Sequence, residues 1–466
     1  MFLSTRGYHY TYNYLVKSSK KNCETLIKQK IDLLIFNLKK LPSIKFLIFA
    51  TYIIFSGKIF MKDRVKIKFE KIEIGRFILA KTFCEFECYT NKFRFYLVFI
   101  KCFLLAGRII KTCNYYYQNY DVKGVYVDHC MYMNGIIFSF FAHKSLPVYT
   151  NNYPLGMFFV DFKKNKNKHL LRYENALRII TKKKINNHQK KKAKTKLSHF
   201  IKKKNFINYL VGLNYEQLDG MDYKNFDYVI FAHAFTDGQL GNGYSGFENS
   251  LEWLEFTLDS LINNNKKVLI KPHPNFYNDK IGQQVEWDKR IYDIVIKKYN
   301  KYNNLVFLRK PIHNYLLLKK LDKNCVLITQ YGSVIFEAAY MKFKSICTTK
   351  NIFDKNFKIS NMWNDKNEYL KLLNTNYLKL RKPNKDDLLE LIYAMFFYHN
   401  SEYNINFYDN IIRKNLKLNE KEYKKLFAVP ARGLITNYQV KKLKTSNSME
   451  NKIINRISRS IHQVRG

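Results

Sequence analysis

The chain reads as an α/β protein with two Rossmann-like domains facing a cleft, the second built on a doubly wound parallel sheet. Three observations lead there. At 466 residues the chain is too long for one hydrophobic core. After Tyr228 short apolar runs alternate with amphipathic stretches at βα spacing. The turns that follow several of those runs carry polar, glycine or proline residues, at the carboxyl edge where open α/β sheets bind ligands.

In order, the runs predict a strand at Tyr228 to Phe231, a glycine-rich loop from Gly238 to Gly246, and a helix from Asn249 to Ile262. Leu251, Leu254, Leu258 and Ile262 give that helix one apolar face. Strands at 267–270, 305–308, 326–329 and 345–348 alternate with helices at 285–299, 313–320 and 333–340. The first 220 residues are less regular. Helical stretches at Cys23 to Lys40 and Lys92 to Tyr117 precede a βαβ unit: strand Gly124 to Val127, helix Tyr132 to His143, strand Leu146 to Tyr149. The expected division is an acceptor-side α/β domain over 1–220, a Rossmann-like domain over 221–400 and a helical, basic extension over 401–466. The lysine-rich run from Lys182 to Lys204 reads as a solvated helix or linker between the halves.

Composition narrows the function classes. Lys and Arg number 81 against 37 Asp and Glu, a formal charge of +44 that raises nucleic acid and anionic membranes as partners. Lys, Asn, Ile, Tyr and Phe are inflated together along the whole chain, which favours compositional drift over a selected nucleic-acid surface, and no nucleic acid is expected. The eight cysteines (23, 84, 88, 102, 113, 130, 325 and 347) form no CxxC pair and read as reduced, buried hydrophobes. The apolar windows 46–55 and 95–106 are too short to span a bilayer. A cytoplasmic protein, soluble or peripheral on the inner face of the cytoplasmic membrane, is the expectation.

Two segments carry the chemistry. Lys271-Pro272-His273-Pro274-Asn275 ends an apolar strand with a stiff, proline-flanked imidazole beside a lysine. Thr329-Gln330-Tyr331-Gly332-Ser333 ends another strand and opens into a helix bearing Glu337, so Gly332 and Ser333 favour a phosphate and Glu337 a ribose diol. Each segment alone fits a rigid turn or a capped helix; their succession at strand ends of one sheet favours a nucleotide site. His233 and Asp237, on the loop after Phe231, and Asp128 and His129, after Val127, are candidate general bases, in no fixed order.

Phe231 to Asn275, with FAHAFTDGQLGNG, FENSLEWLEFTL and VLIKPHPN, joined to LITQYGSVIFEAAYMKFKSICT, resembles bacterial capsular and surface polysaccharide biosynthesis proteins of the GT-B glycosyltransferase type. These are related to capsule Kdo transferases, and similar elements occur in polysialyltransferases and teichoic-acid glycerophosphotransferases. The resemblance spans roughly 126–348. It implies that His273 and Ser333 contact the donor phosphate and Glu337 the ribose. At Met341-Lys342-Phe343 the sequence departs from the family, which commonly has glycine before the next strand.

The expected function is transfer of a sugar from a nucleotide-activated donor, a CMP-sugar first, to a surface glycan or its lipid-linked precursor. No cofactor is required and no metal site is read; Mg²⁺ is compatible but not implied, since Lys271 and His273 can neutralise the leaving phosphate. The alternatives are a CDP-polyol phosphotransferase, a basic nucleic-acid-binding protein, and a non-catalytic polysaccharide assembly protein.

Overall fold

A computed structural model describes residues 41–119, 131–146, 184–203 and 220–397, apart from short gaps, together with the strands at 2–4, 32–33, 124–127, 148–152 and 156–158. Asp128 and His129, the extension from 401 and most of the helix expected at 23–40 lie outside the described residues, but where that helix was expected Asp32–Leu33 form a strand.

The amino-terminal half has a five-stranded sheet and a layer of helices. Strands β1 (Phe2–Ser4) and β2 (Asp32–Leu33) pair parallel. Next come α1 (Ile44–Phe55), the hairpin β3 (Lys68–Phe69) and β4 (Ile72–Glu73), α2 (Gly75–Thr82), the short α3 (Glu87–Thr90) and the long α4 (Lys92–Asn119). The βαβ unit is present as β5 (Gly124–Val127), α5 (Tyr132–His143) and β6 (Val148–Asn152). β7 (Gly156–Phe158) returns antiparallel, giving the order β2-β1-β5-β6-β7.

Close helix approach in this half depends on two glycines. A Cβ on Gly107 would fall 2.3 Å from the Phe46 ring, and one on Gly135 would fall 2.0 Å from the Phe77 ring. Each phenylalanine therefore seats in the notch of a neighbouring helix, at the cost of about 1 kcal/mol that glycine brings to a helix interior. Phe99, Phe103 and Phe141, all buried, extend the same aromatic core.

The carboxyl half is a six-stranded, wholly parallel sheet. In chain order it comprises α6 (Asn187–Lys203), β8 (Tyr228–Phe231), α7 (Ser250–Asn263), β9 (Val268–Lys271), α8 (Gln283–Tyr299), β10 (Leu305–Phe307) and α9 (Asn314–Lys320). β11 (Val326–Thr329), α10 (Val334–Tyr340), β12 (Ser345–Thr348), β13 (Asn361–Trp363), α11 (Lys366–Leu373) and α12 (Lys385–Phe397) complete it. The strand order is β10-β9-β8-β11-β12-β13, so the order in which the chain adds strands reverses at β8 and β11 while all strands stay parallel. That reversal opens the crevice in which such sheets bind ligands.

β8, β9 and β11 are buried on both faces, as continuous apolar runs in a covered parallel sheet should be. Tyr228, Ile230, Val268, Ile270 and Ile328 point into one core with α7 and α8, while Val229, Phe231, Leu269 and Leu327 point into a second with α9. Each such side chain contributes on the order of 2 kcal/mol by leaving water.

Two departures from the sequence reading and one turn that it singled out are informative. The lysine-rich segment is a helix but not a free linker: Ala193, Leu197, Phe200 and Ile201 on α6 are buried in the carboxyl-half core, beside α12. Its apolar residues recur at helical spacing beneath the lysines, which hid them. β13 and α11 were not anticipated, because a three-residue strand and a two-turn helix carry little periodic signal. Lys342 lies at φ 65°, in the left-handed region, where the resembled family commonly has glycine.

Candidate functional site

The site is built by strand register. Phe231 pairs with Lys271 on one side and Thr329 on the other, so β8, β9 and β11 end at one level. His233, His273 and Tyr331 each lie two residues past those ends. Equal offsets on three adjacent strands bring the rings together: His233 stands 5.9 Å from His273 and 5.3 Å from Tyr331, centroid to centroid. The cluster occupies the crevice between β8 and β11 and its β9 flank.

Burial sets the charge states. Desolvation holds the His273 imidazole well below its ordinary range, and His233 and Lys271 push it further down. Burial likewise lowers His233, although the Ala234 carbonyl and Asp237 oppose it. His233 Nδ1 lies 2.9 Å from the Ala234 carbonyl oxygen, which can only accept, so the ring proton sits on Nδ1 and the lone pair on Nε2. Both rings are neutral at pH 7.

Lys271, at the end of β9, and Glu337, in α10, are both buried. Lys271 is 2 % exposed, and its amine lies 5.9 Å above the Phe231 ring. Burial pulls that amine down to about 8, while the Glu337 carboxylate supports its charge. Glu337, 7 % exposed, is pushed up to about 7 by burial, against the Asn314 hydrogen bond and Lys271. Asn314 Nδ2 donates to Glu337 Oε1 at 3.0 Å, so the first residue of α9 fixes a carboxylate on α10.

The glycine turn after β11 is tight. A Cβ on Gly332 would come 2.6 Å from Thr329 Oγ1, and the Gly332 N–H donates to that oxygen at 3.2 Å. The turn thus uses one backbone donor internally. Ser333 is the N-cap residue of α10, but its side chain does not cap the helix.

Both halves of the molecule hold the loop after β8. Asp288, on α8, accepts from Phe235 N at 2.9 Å, from Thr236 N at 2.7 Å and from the Thr236 hydroxyl at 2.9 Å. Burial pushes Asp288 up to about 7 despite these donors. From the amino-terminal half, the Tyr132 hydroxyl donates to Asp237 Oδ1 at 2.6 Å and accepts from Gly238 N at 2.7 Å. Tyr89 donates to the Phe235 carbonyl, Arg76 donates to Leu240 O at 3.3 Å, and Arg64 pairs with Glu248 through two nitrogens. Leu240 is buried in the amino-terminal core. The glycines serve this path: Gly238, Gly243 and Gly246 all have positive φ, and a Cβ on Gly246 would meet Lys366 N at 2.6 Å.

Of the ten residues read as site candidates, His233, Lys271, His273, Gly332, Ser333 and Glu337 therefore lie at one sheet edge or on the helix that follows it, with Asp237 on the loop beside His233. Asp128 and His129 follow β5 but lie outside the described residues, as does the Asn275 side chain. Tyr331, Asn314, Asp288 and Tyr132 had been missed. Asp288 had left a signal: it falls three, four and seven residues before Ile291, Tyr292 and Val295, on the buried face of α8. Among the described residues no group of three His, Cys, Asp or Glu side chains is arranged to hold a metal ion.

No protein-family model and no curated protein matches the chain. Among solved structures it is similar to the β-Kdo 2,4 transferase KpsC of Thermosulfurimonas dismutans, at 10 % identity and a TM-score of 0.35, over 59 % of this chain and 80 % of that one. It is also similar to the UDP-GlcNAc 2-epimerase of Methanocaldococcus jannaschii in complex with UDP-GlcNAc and UDP, at 12 % identity and a TM-score of 0.27, over 62 % and 80 % of the two chains.

Proposed function

We propose that the chain is a glycosyltransferase that moves a sugar from a nucleotide-activated donor to a surface glycan or its lipid-linked precursor. The observation that carries this reading is the register of β8, β9 and β11, which gathers two neutral imidazoles, a tyrosine and a buried lysine and glutamate at the ligand crevice of a parallel sheet.

In this reading His273 donates a hydrogen bond to the departing phosphate, and a neutral ring costs less to keep desolvated there than a cation. Lys271 supplies positive potential without leaving its buried seat. Glu337, oriented by Asn314, is the acceptor for a ribose diol. His233 is the candidate base best prepared for the acceptor proton, because its lone pair is on Nε2 and the ring is neutral. Asp237, which accepts from Tyr132, keeps the loop in place beside it.

A transferase of polyol phosphate from a CDP-linked donor draws on the same groups. The two are separated by incubating the protein with CMP-, CDP-, UDP- and GDP-linked donors and following release of the nucleotide. A nucleoside mono- or diphosphate freed from a sugar donor, and lost in His273→Ala, supports sugar transfer. Release of CMP from CDP-glycerol alone would replace it with the phosphotransferase reading.

A further inference from the structure

We infer that the outer face of α1, with the adjoining start of α4, docks the chain on an anionic lipid bilayer. Ile44, Ile48, Tyr52 and Phe55 recur at helical spacing on α1 and are 77, 66, 55 and 86 % exposed, while Phe46, Ala50 and Ile53 on the opposite face are buried in the aromatic core. A helix whose inner stripe is already satisfied and whose outer stripe is also apolar has a second partner.

The patch extends beyond α1. The Lys58 amine donates to the Tyr52 hydroxyl at 3.2 Å and lies 4.8 Å from its ring, which folds the following turn alongside. Phe60, 58 % exposed, packs edge-on against Tyr96 of α4 at 4.7 Å, one turn from Phe93, which is 72 % exposed.

The rim identifies the partner. Lys58, Lys92 and Lys111 are exposed, with Lys58 bonded to Tyr52 of the stripe and Lys111 donating to Leu41 O just before α1. The neighbouring acids are engaged, Glu70 with Lys45 and Asp63 with Lys66. An apolar stripe edged by lysines and a tyrosine matches the boundary between acyl chains and anionic headgroups. A second copy of a chain bearing +44 would be repelled from the same face, whereas an anionic bilayer attracts it. At twelve residues α1 is about 18 Å long, too short to cross the hydrocarbon core, so it would lie in the interface plane. No helix among the described residues is long and apolar enough to cross a membrane.

The inference deepens the proposed function by naming where a lipid-linked acceptor is met, and its test does not depend on donor chemistry. The full chain is floated with vesicles of phosphatidylcholine alone or mixed with phosphatidylglycerol, alongside the double variant Ile48→Asp/Phe55→Asp. Wild type is expected to favour the mixed vesicles at least about tenfold, and the variant to lose about tenfold or more in partitioning with its melting temperature unchanged. Equal binding by wild type and variant would overturn the inference, as would a dimer in sedimentation equilibrium that Ile48→Asp splits while vesicles are ignored. Vesicle binding without any donor binding would instead sink the transferase reading and leave this one standing.

Discussion

The two halves of the molecule solve the packing problem differently. The carboxyl half is held by strand register, and its ionisable groups are buried at strand ends. The amino-terminal helical layer is held by phenylalanines set into glycine notches, and it leaves one apolar face to water. Chemistry belongs where backbone geometry fixes side-chain position; adhesion needs only a surface. The loop from 232 to 249 joins the two, anchored by Asp288 on one side and Tyr132, Arg76 and Arg64 on the other.

That contrast predicts different weak points. The largest effect is expected at Glu337→Ala, which empties a buried position and strips Asn314 of its acceptor, and should cost on the order of 3 kcal/mol in urea denaturation. Next, Gly135→Ala must displace the Phe77 ring and should cost about 1–3 kcal/mol, with nucleotide binding kept. If Gly135→Ala abolished binding while Glu337→Ala left stability unchanged, the division of labour between the halves would be wrong.

The pH dependence follows from opposed shifts. His233 and His273 are depressed by burial, so the folded state takes up fewer protons, and stability present above about pH 6.5 is lost as pH falls. Glu337 and Asp288 are raised to about 7, so their stability is complete below their ordinary values of 4.5 and 3.8 and is lost as pH rises through about 7. In denaturant melts between pH 5 and 7.5, His273→Ala should therefore be stabilised relative to wild type on acidification. Glu337→Gln should be relatively stabilised on alkalinisation. The reverse order would show that these groups are not buried as described.

The smallest effect concerns one residue. Lys342, at φ 65°, should gain about 0.5–1 kcal/mol as Lys342→Gly, since glycine populates that region without a Cβ penalty. Destabilisation would mean that the lysine side chain does more than tolerate the turn.

Much of this was legible in the sequence because parallel strands and their helices carry strong periodicities. β8, β9, β11 and β12 fall within a residue of where their apolar runs placed them. The motif residues His273, Gly332 and Glu337 were readable, yet their inward setting was not: a lysine after an apolar strand does not reveal that its amine is buried over the Phe231 ring. The tether of the glycine loop depends on Tyr89 and Tyr132, more than a hundred residues away, and no local pattern encodes such contacts. The exposed face of α1 was visible only as an apolar window, since sequence cannot say which stripe of a wholly apolar helix meets the core.

The strand-end cluster is best tested by titrating the full chain with CMP, CDP, UDP and GDP in a calorimeter, for wild type and for His273→Ala. The site as described predicts that one nucleotide class binds wild type and that the variant, folded and with an unchanged circular dichroism spectrum, loses at least about tenfold in affinity. Binding of no nucleotide by wild type, or equal binding by both proteins, would contradict it.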